Sequence, residues 1–142
     1  RRSAQFASGV WVTPAVHVKL QEAAALLQRG EAARAFAIAD AVARANPTDA
    51  EALHLSALAL SRMGEWDRAA AAFEAAATLH PRRELILVNL GNHWRRAGRL
   101  IEAADAYERA ARAAPNAAEA HAALGSVRAT LDDNRGASSA FE

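Results

Sequence analysis

Residues 84–117 read ELILVNLGNHWRRAGRLIEAADAYERAARAAPNA, and their punctuation decides how the chain folds. Gly98 divides two stretches of helical apolar spacing, Leu87, Leu90 and Trp94 before it and Ala103, Tyr107 and Ala110 after it. A glycine at that point can take the left-handed conformation that ends one helix and turns the chain into the next. Pro115 closes the second stretch, because its ring and missing N–H forbid further helix. The segment therefore reads as a helix–turn–helix hairpin. Outward from it the same marks return: Gly30, Gly64 and Gly98 lie 34 residues apart, and so do Asn46-Pro47, His80-Pro81 and Ala114-Pro115. Two independent signals with one period mean a repeated hairpin.

Composition agrees. Of 142 residues, 41 are alanine, the best helix former and the smallest core side chain, which predicts closely packed helices. Helices are expected near 15–29, 32–45, 50–63, 66–79, 84–97, 100–113, 118–131 and 134–142, with Thr48-x-x-Glu51 and Asn116-x-x-Glu119 as N-terminal caps. The fold class is all-α, an α-solenoid of antiparallel hairpins. Residues 1–14 fall outside the period, yet Phe6, Val10, Trp11 and Val12 are apolar enough to cover the first hairpin or to lie in a groove. Sixteen arginines against the single Lys19, with abundant alanine, suit a GC-rich bacterial source. The chain does not open on Met and stops inside a repeat, so it is expected to be a piece of something longer.

Inside the unit the pattern resembles the tetratricopeptide repeat. The third copy fills every defining slot, with Leu87, Leu90-Gly91, Trp94, Ala103, Tyr107, Ala110 and Pro115. The second has Leu53, Ala57, Leu60, Ala69, Phe73, Ala76 and Pro81, with Ser56 where leucine is usual. The first keeps Ala23, Leu26, Ala35 and Pro47 but places Lys19, Glu22 and Ala39 in slots that normally hold large apolar side chains. A fourth begins with Leu124-Gly125 and runs to Ala137 and Phe141, with Asp132 in place of the turn glycine. The copies fall at about 16–49, 50–83, 84–117 and 118–142. Ala57, Gly91 and Gly125 are read as points of close helix approach, Phe73, Tyr107 and Phe141 as an aromatic ladder in the core, and Trp66 and Trp94 as core. Leu124, Val127 and Leu131 are expected to form an edge left partly open by the unfinished fourth copy, suited to self-association.

Catalysis and cofactors find no support. The five histidines include no pair at the three- or four-residue spacing that would place two metal ligands on one helix face. Without cysteine there is no disulfide, thiolate zinc site or cysteine nucleophile. No nucleophile elbow or phosphate loop is present, and no apolar run is long enough to span a bilayer. A formal charge of +1, spread as 0, 0, +1 and −2 over the copies with +2 from Arg1 and Arg2, provides no basic stripe for nucleic acid. No cofactor is expected, and this segment is not expected to be an enzyme. With no leader or membrane segment in view, the cytoplasm is the favoured compartment.

What remains is a surface. The resemblance implies a superhelix whose concave wall is lined by one face of each first helix, where residues four apart come together. On this register the wall receives Leu20, Ala24 and Gln28, then His54, Leu58 and Arg62, then Asn89, Asn92 and Arg96, then Ala122, Ser126 and Thr130. An asparagine amide both donates and accepts, so Asn89 and Asn92 suit the backbone of an extended peptide. Asparagines resembling Asn89 form a ladder in the tetratricopeptide superhelices of protein O-glycosyltransferases, but Gln21, Leu55 and Ala123 hold the equivalent places here. The lysines, asparagines and arginine with which related domains clamp a chaperone's C-terminal carboxylate are likewise replaced, since Leu20, Ala24, Leu55, Leu85 and Asn89 stand in those places here. Arg62, Arg95, Arg96 and Arg99 gather at the ends of first helices, where exposed carbonyls favour a cation and where Arg62 and Arg96 suit a partner's carboxylate or phosphate. The expected function is protein–protein interaction, with His54, Leu58, Arg62, Asn89, Asn92 and Arg96 facing a peptide or helical segment of a partner. The alternatives are a substrate-docking or regulatory portion of a larger enzyme, such as a transferase or hydroxylase, and a self-assembly module that makes a homo-oligomer through the fourth copy.

Overall fold

The structure, a computed structural model, describes the backbone of residues 5–7, 10–12 and 14–140, and the side chains of 14–139. Two short strands, β1 (Gln5–Ala7) and β2 (Val10–Val12), pair antiparallel with Phe6 opposite Trp11. No element was expected there from sequence. The covering role expected of Phe6, Val10, Trp11 and Val12 falls on side chains outside the described ones. The rest of the described chain is helical: α1 (Pro14–Gln28), α2 (Ala32–Ala45), α3 (Ala50–Arg62), α4 (Trp66–Leu79), α5 (Arg83–Arg96), α6 (Leu100–Ala113) and α7 (Ala118–Ala140). They fall into two compact units, residues 1–83 and 84–142.

The turns follow from backbone chemistry. Gly30, Gly64 and Gly98 have φ of 82°, 77° and 80°, the region a side chain disfavours. Each completes the same pair of bonds: Gly30 N–H donates to Leu27 O and Glu31 N–H to Leu26 O, and the pattern returns at Ser61 and Leu60 and at Arg95 and Trp94. This satisfies carbonyls that a helix end leaves without partners. At the other end of each hairpin, Asn46, His80 and Ala114 precede proline and leave the helical region, with ψ of 83°, 134° and 88°. The cap of α3 lies one residue beyond the expected Thr48: the Asp49 carboxylate accepts from Ala52 N–H at 3.1 Å.

In the first unit α1 packs on α2, α2 on α3 and α3 on α4, with α1 beside α3. Leu20, Ala23, Leu26, Ala35, Ala39, Val42, Leu55 and Ala59 share one core cluster, and Phe73 of α4 is fully buried. In the second unit Tyr107 of α6 is fully buried against Gly91 of α5, where a Cβ would lie 2.5 Å from Cδ1 and 2.8 Å from Cζ of the ring. Burying such an aromatic side chain contributes roughly 2–3 kcal/mol. Glycine is required at 91 for that approach. Trp66 and Trp94, expected in the core, are only half-buried.

The fourth copy departs from expectation. Residues 118–140 form one continuous helix of 23 residues, with no turn near 132. The left-handed conformation costs a residue with a Cβ about 1 kcal/mol or more, whereas continuing the helix adds a hydrogen bond for each residue fixed. Asp132 therefore leaves the helix running where Gly30, Gly64 and Gly98 stop it. Gly125 consequently approaches nothing: a Cβ built there meets no atom within 4 Å. The open edge is also less apolar than expected, because Leu124 and Val127 are buried against the rest of the unit and Leu131 is half-buried. Phe141, the third rung of the expected ladder, lies outside the described residues.

Candidate functional site

Three of the six wall residues lie in the first unit and three in the second, and each set has its own surroundings. In the first unit, His54 is not a wall residue. It is 7% exposed, with its ring 6.3 Å from both Phe73 and His80 of the α4 side of the hairpin. Burial, and then the charge of His80, lower its pKa to about 4. It is neutral at neutral pH and part of the packing. His80 lies 3.6 Å from Glu51 through Nε2 while its Nδ1 accepts from Arg82 N–H at 3.0 Å. The nearest sequence signal for this cluster was the helical spacing of Glu51 and His54; the return of His80 requires the hairpin. Among the described residues no group of three or more potential ligands gathers for a metal.

Leu58 does reach the surface. It is half-buried on the core cluster, as is Ala24 one copy earlier. Arg62, one turn further along α3, is exposed and spans to the neighbouring first helix, where Nη1 donates to Leu27 O at 2.7 Å. That carbonyl also accepts from Gly30 N–H at 3.0 Å. The arginine thus adds to the closure of α1's C-terminus and joins it to that of α3. Spacing alone brought Arg62 to the wall; its carbonyl partner, 35 residues away, required the fold.

In the second unit, Asn89 is half-buried, and Asn92 is half-buried with its Oδ1 accepting from the Tyr107 hydroxyl at 2.5 Å. This leaves the Asn92 amide as a donor. The aromatic slot and the asparagine were both visible in sequence, but their bond was not. Val88, the residue 34 after His54, is buried, so Asn89 stands one position off the row that the other copies suggested. Arg96 is exposed at the last residue of α5. Arg99, grouped with it in sequence, is engaged elsewhere: its guanidinium pairs with Glu102 at 2.9 Å and lies 4.7 Å from the Trp94 ring. On α7, Ala122, Ser126 and Thr130 are exposed, and the Thr130 hydroxyl donates to Ser126 O.

Residues 54–118 match the family model of the tetratricopeptide repeat. No curated protein matches the chain. Among solved structures, the chain is similar to the Sgt2 tetratricopeptide domain from Aspergillus fumigatus, at 24% identity and a TM-score of 0.77, covering 88% of this chain and 85% of that one. It is also similar to the Yersinia enterocolitica type III secretion chaperone SycD in complex with a peptide of the translocator YopD, at 15% identity and 0.72, covering 84% and 97%. A third is the first tetratricopeptide domain of Spaghetti (RPAP3) bound to the HSP90 peptide SRMEEVD, at 20% identity and 0.71, covering 82% and 93%. The repeat matched over residues 54–118 and the fold shared with these domains lead to one conclusion: the helix hairpins of this chain have the fold of tetratricopeptide domains.

Proposed function

We propose that this chain is a protein-interaction module that holds a segment of a partner protein against the exposed faces of its first helices. The observation that carries the reading is the contrast within those helices. Their buried positions, such as Leu55 and Leu60 of α3 and Leu87 and Leu90 of α5, serve helix packing, whereas Leu58 and Arg62 of α3 and Asn89, Asn92 and Arg96 of α5 all reach the surface. SycD and the Spaghetti domain, which share the fold, each hold a peptide, which supports the same use here. The partner is read as protein rather than nucleic acid because no copy carries a basic stripe. Among the described residues no helix is long and apolar enough to cross a membrane. The cytoplasm is the compartment we favour, to be checked by fractionation.

Site-specific photo-crosslinking tests the module. A benzophenone side chain is placed at Leu58 or Asn92, with Ala33 of α2, which is exposed, as control, in a lysate of the source organism. Discrete adducts from Leu58 and Asn92 and none from Ala33 are expected. Adducts in equal yield from all three positions would remove the reading. Self-assembly through the fourth copy is the further reading, and α7 lends it polar rather than apolar surface, with His121, Gly125 and Arg128 exposed. Sedimentation over a hundredfold range of concentration distinguishes it by a rise in mass.

A further inference from the structure

The arginines of this chain are not all employed alike. Arg29, Arg34, Arg44, Arg68, Arg99, Arg109, Arg112, Arg128 and Arg135 each lie within 4.0 Å of a carboxylate. Arg62, like Arg83 and Arg95, has none among the described residues, and what sets it apart is a bond that holds it in place. Its partner is the neutral carbonyl of Leu27, at 2.7 Å. The bond fixes the position of the guanidinium without neutralising its charge, and it uses one of five N–H donors. A planar fork held by one edge has already lost much of the freedom that binding would otherwise remove, so it is preorganised for a second, bidentate acceptor.

The neighbours narrow what that acceptor belongs to. Ala24 and Leu58 are half-buried and apolar, and Leu58 shares a helix face with Arg62 one turn away. Three carbonyls near the end of α1 are already occupied: Ala25 and Leu26 O accept from Arg29 N–H, Leu26 O also from Glu31, and Leu27 O from Gly30 and Arg62. An unneutralised cation held in place beside small apolar surface is complementary to one carboxylate followed by an aliphatic side chain. It lacks the several converging donors that a chain terminus would use.

We infer that Arg62 is the specificity-determining residue of this surface and that it takes the side-chain carboxylate of an internal aspartate or glutamate of the partner segment, with an aliphatic neighbour lying on Ala24 and Leu58. The inference rests on the module reading above and adds the chemistry of the partner. The test is selection from a phage-displayed library of random 12-residue peptides on the full chain, beside Arg62→Gln and Arg62→Lys, with Arg95→Gln as a control of equal charge change. Peptides from the unaltered chain and from Arg95→Gln should share an acidic residue beside an aliphatic one. Synthesised with amidated ends, they should bind Arg62→Gln about tenfold to a hundredfold more weakly, the range for a lost charged hydrogen bond. Arg62→Lys should retain part of the affinity, and replacing the peptide's acidic residue by its amide should erase the difference between the chain and Arg62→Gln. Circular dichroism melts of each variant separate lost binding from lost fold. Enriched peptides with no acidic preference, or with equal affinity for Arg62→Gln, would overturn the inference and leave the module standing. A library that enriches nothing on the unaltered chain would remove both.

Discussion

Gly91 and Gly125 stand 34 residues apart, in the same slot of successive copies, and meet opposite surroundings. A methyl group at 91 must enter the Tyr107 ring, while one at 125 meets nothing within 4 Å. Gly91→Ala should therefore destabilise by roughly 1–3 kcal/mol through overpacking. Gly125→Ala should stabilise by up to about 1 kcal/mol, through helix propensity alone. Thermal melts of the two variants check the pair, and equal shifts would show that Tyr107 does not pack as described. Sequence spacing treated the two glycines as equivalent because the slot is the same; only the absence of a returning helix distinguishes them. Ser56 is a second case. It occupies a slot where leucine is usual, it is buried, and its Oγ finds no partner among the described residues. A buried hydroxyl without a hydrogen bond is costly, so Ser56→Ala should raise stability by about 1 kcal/mol, read as a higher urea midpoint at unchanged slope.

Helix boundaries were legible wherever a glycine or proline governed them. Six of the expected helices were placed within a residue or so of α1 to α6, because φ near 80° at Gly30, Gly64 and Gly98 and the pre-proline ψ values are properties of those residue types. The end of the chain was less legible, because the register of Ala137 and Phe141 argued for a hairpin while Asp132 argued against its turn, and spacing does not weigh the two. Backbone energetics do. The consequence falls on residues 132–139, which are helical yet exposed throughout. Few buried contacts and solvent-facing hydrogen bonds mean easy local opening. Amide exchange should be fastest there among the helical residues and slow across Ala120 to Val127, where buried side chains hold α7 to its unit. Uniform protection along α7 would contradict this.

For the molecule as a whole, stability should record the buried His54. The folded chain keeps it neutral down to a pKa of about 4, whereas the unfolded chain protonates it near 6.5. Between those values the unfolded state binds more protons, so stability falls as the pH falls through that window and is level above it. The difference is worth on the order of 3 kcal/mol at most. The groups beside it, His80 and Glu51, remain in His54→Asn, so urea midpoints at pH 7.5 and 5.0 should fall further apart in the unaltered chain than in the variant. Equal separations would assign the pH dependence elsewhere. The candidate surface was legible in part for related reasons. Helical spacing brought Leu58, Arg62 and Asn92 to the exterior, but it could not show that His54 turns into the hairpin, because burial depends on Phe73 and His80 from another helix. The unbroken α7 has a further consequence in heredity. Any aspartate codon becomes a glycine codon by the change of one base, so the step between this rod and the turn of another hairpin is the smallest that inheritance allows. Lineages carrying such arrays could move from one form to the other by point mutation, with no gain or loss of a whole copy.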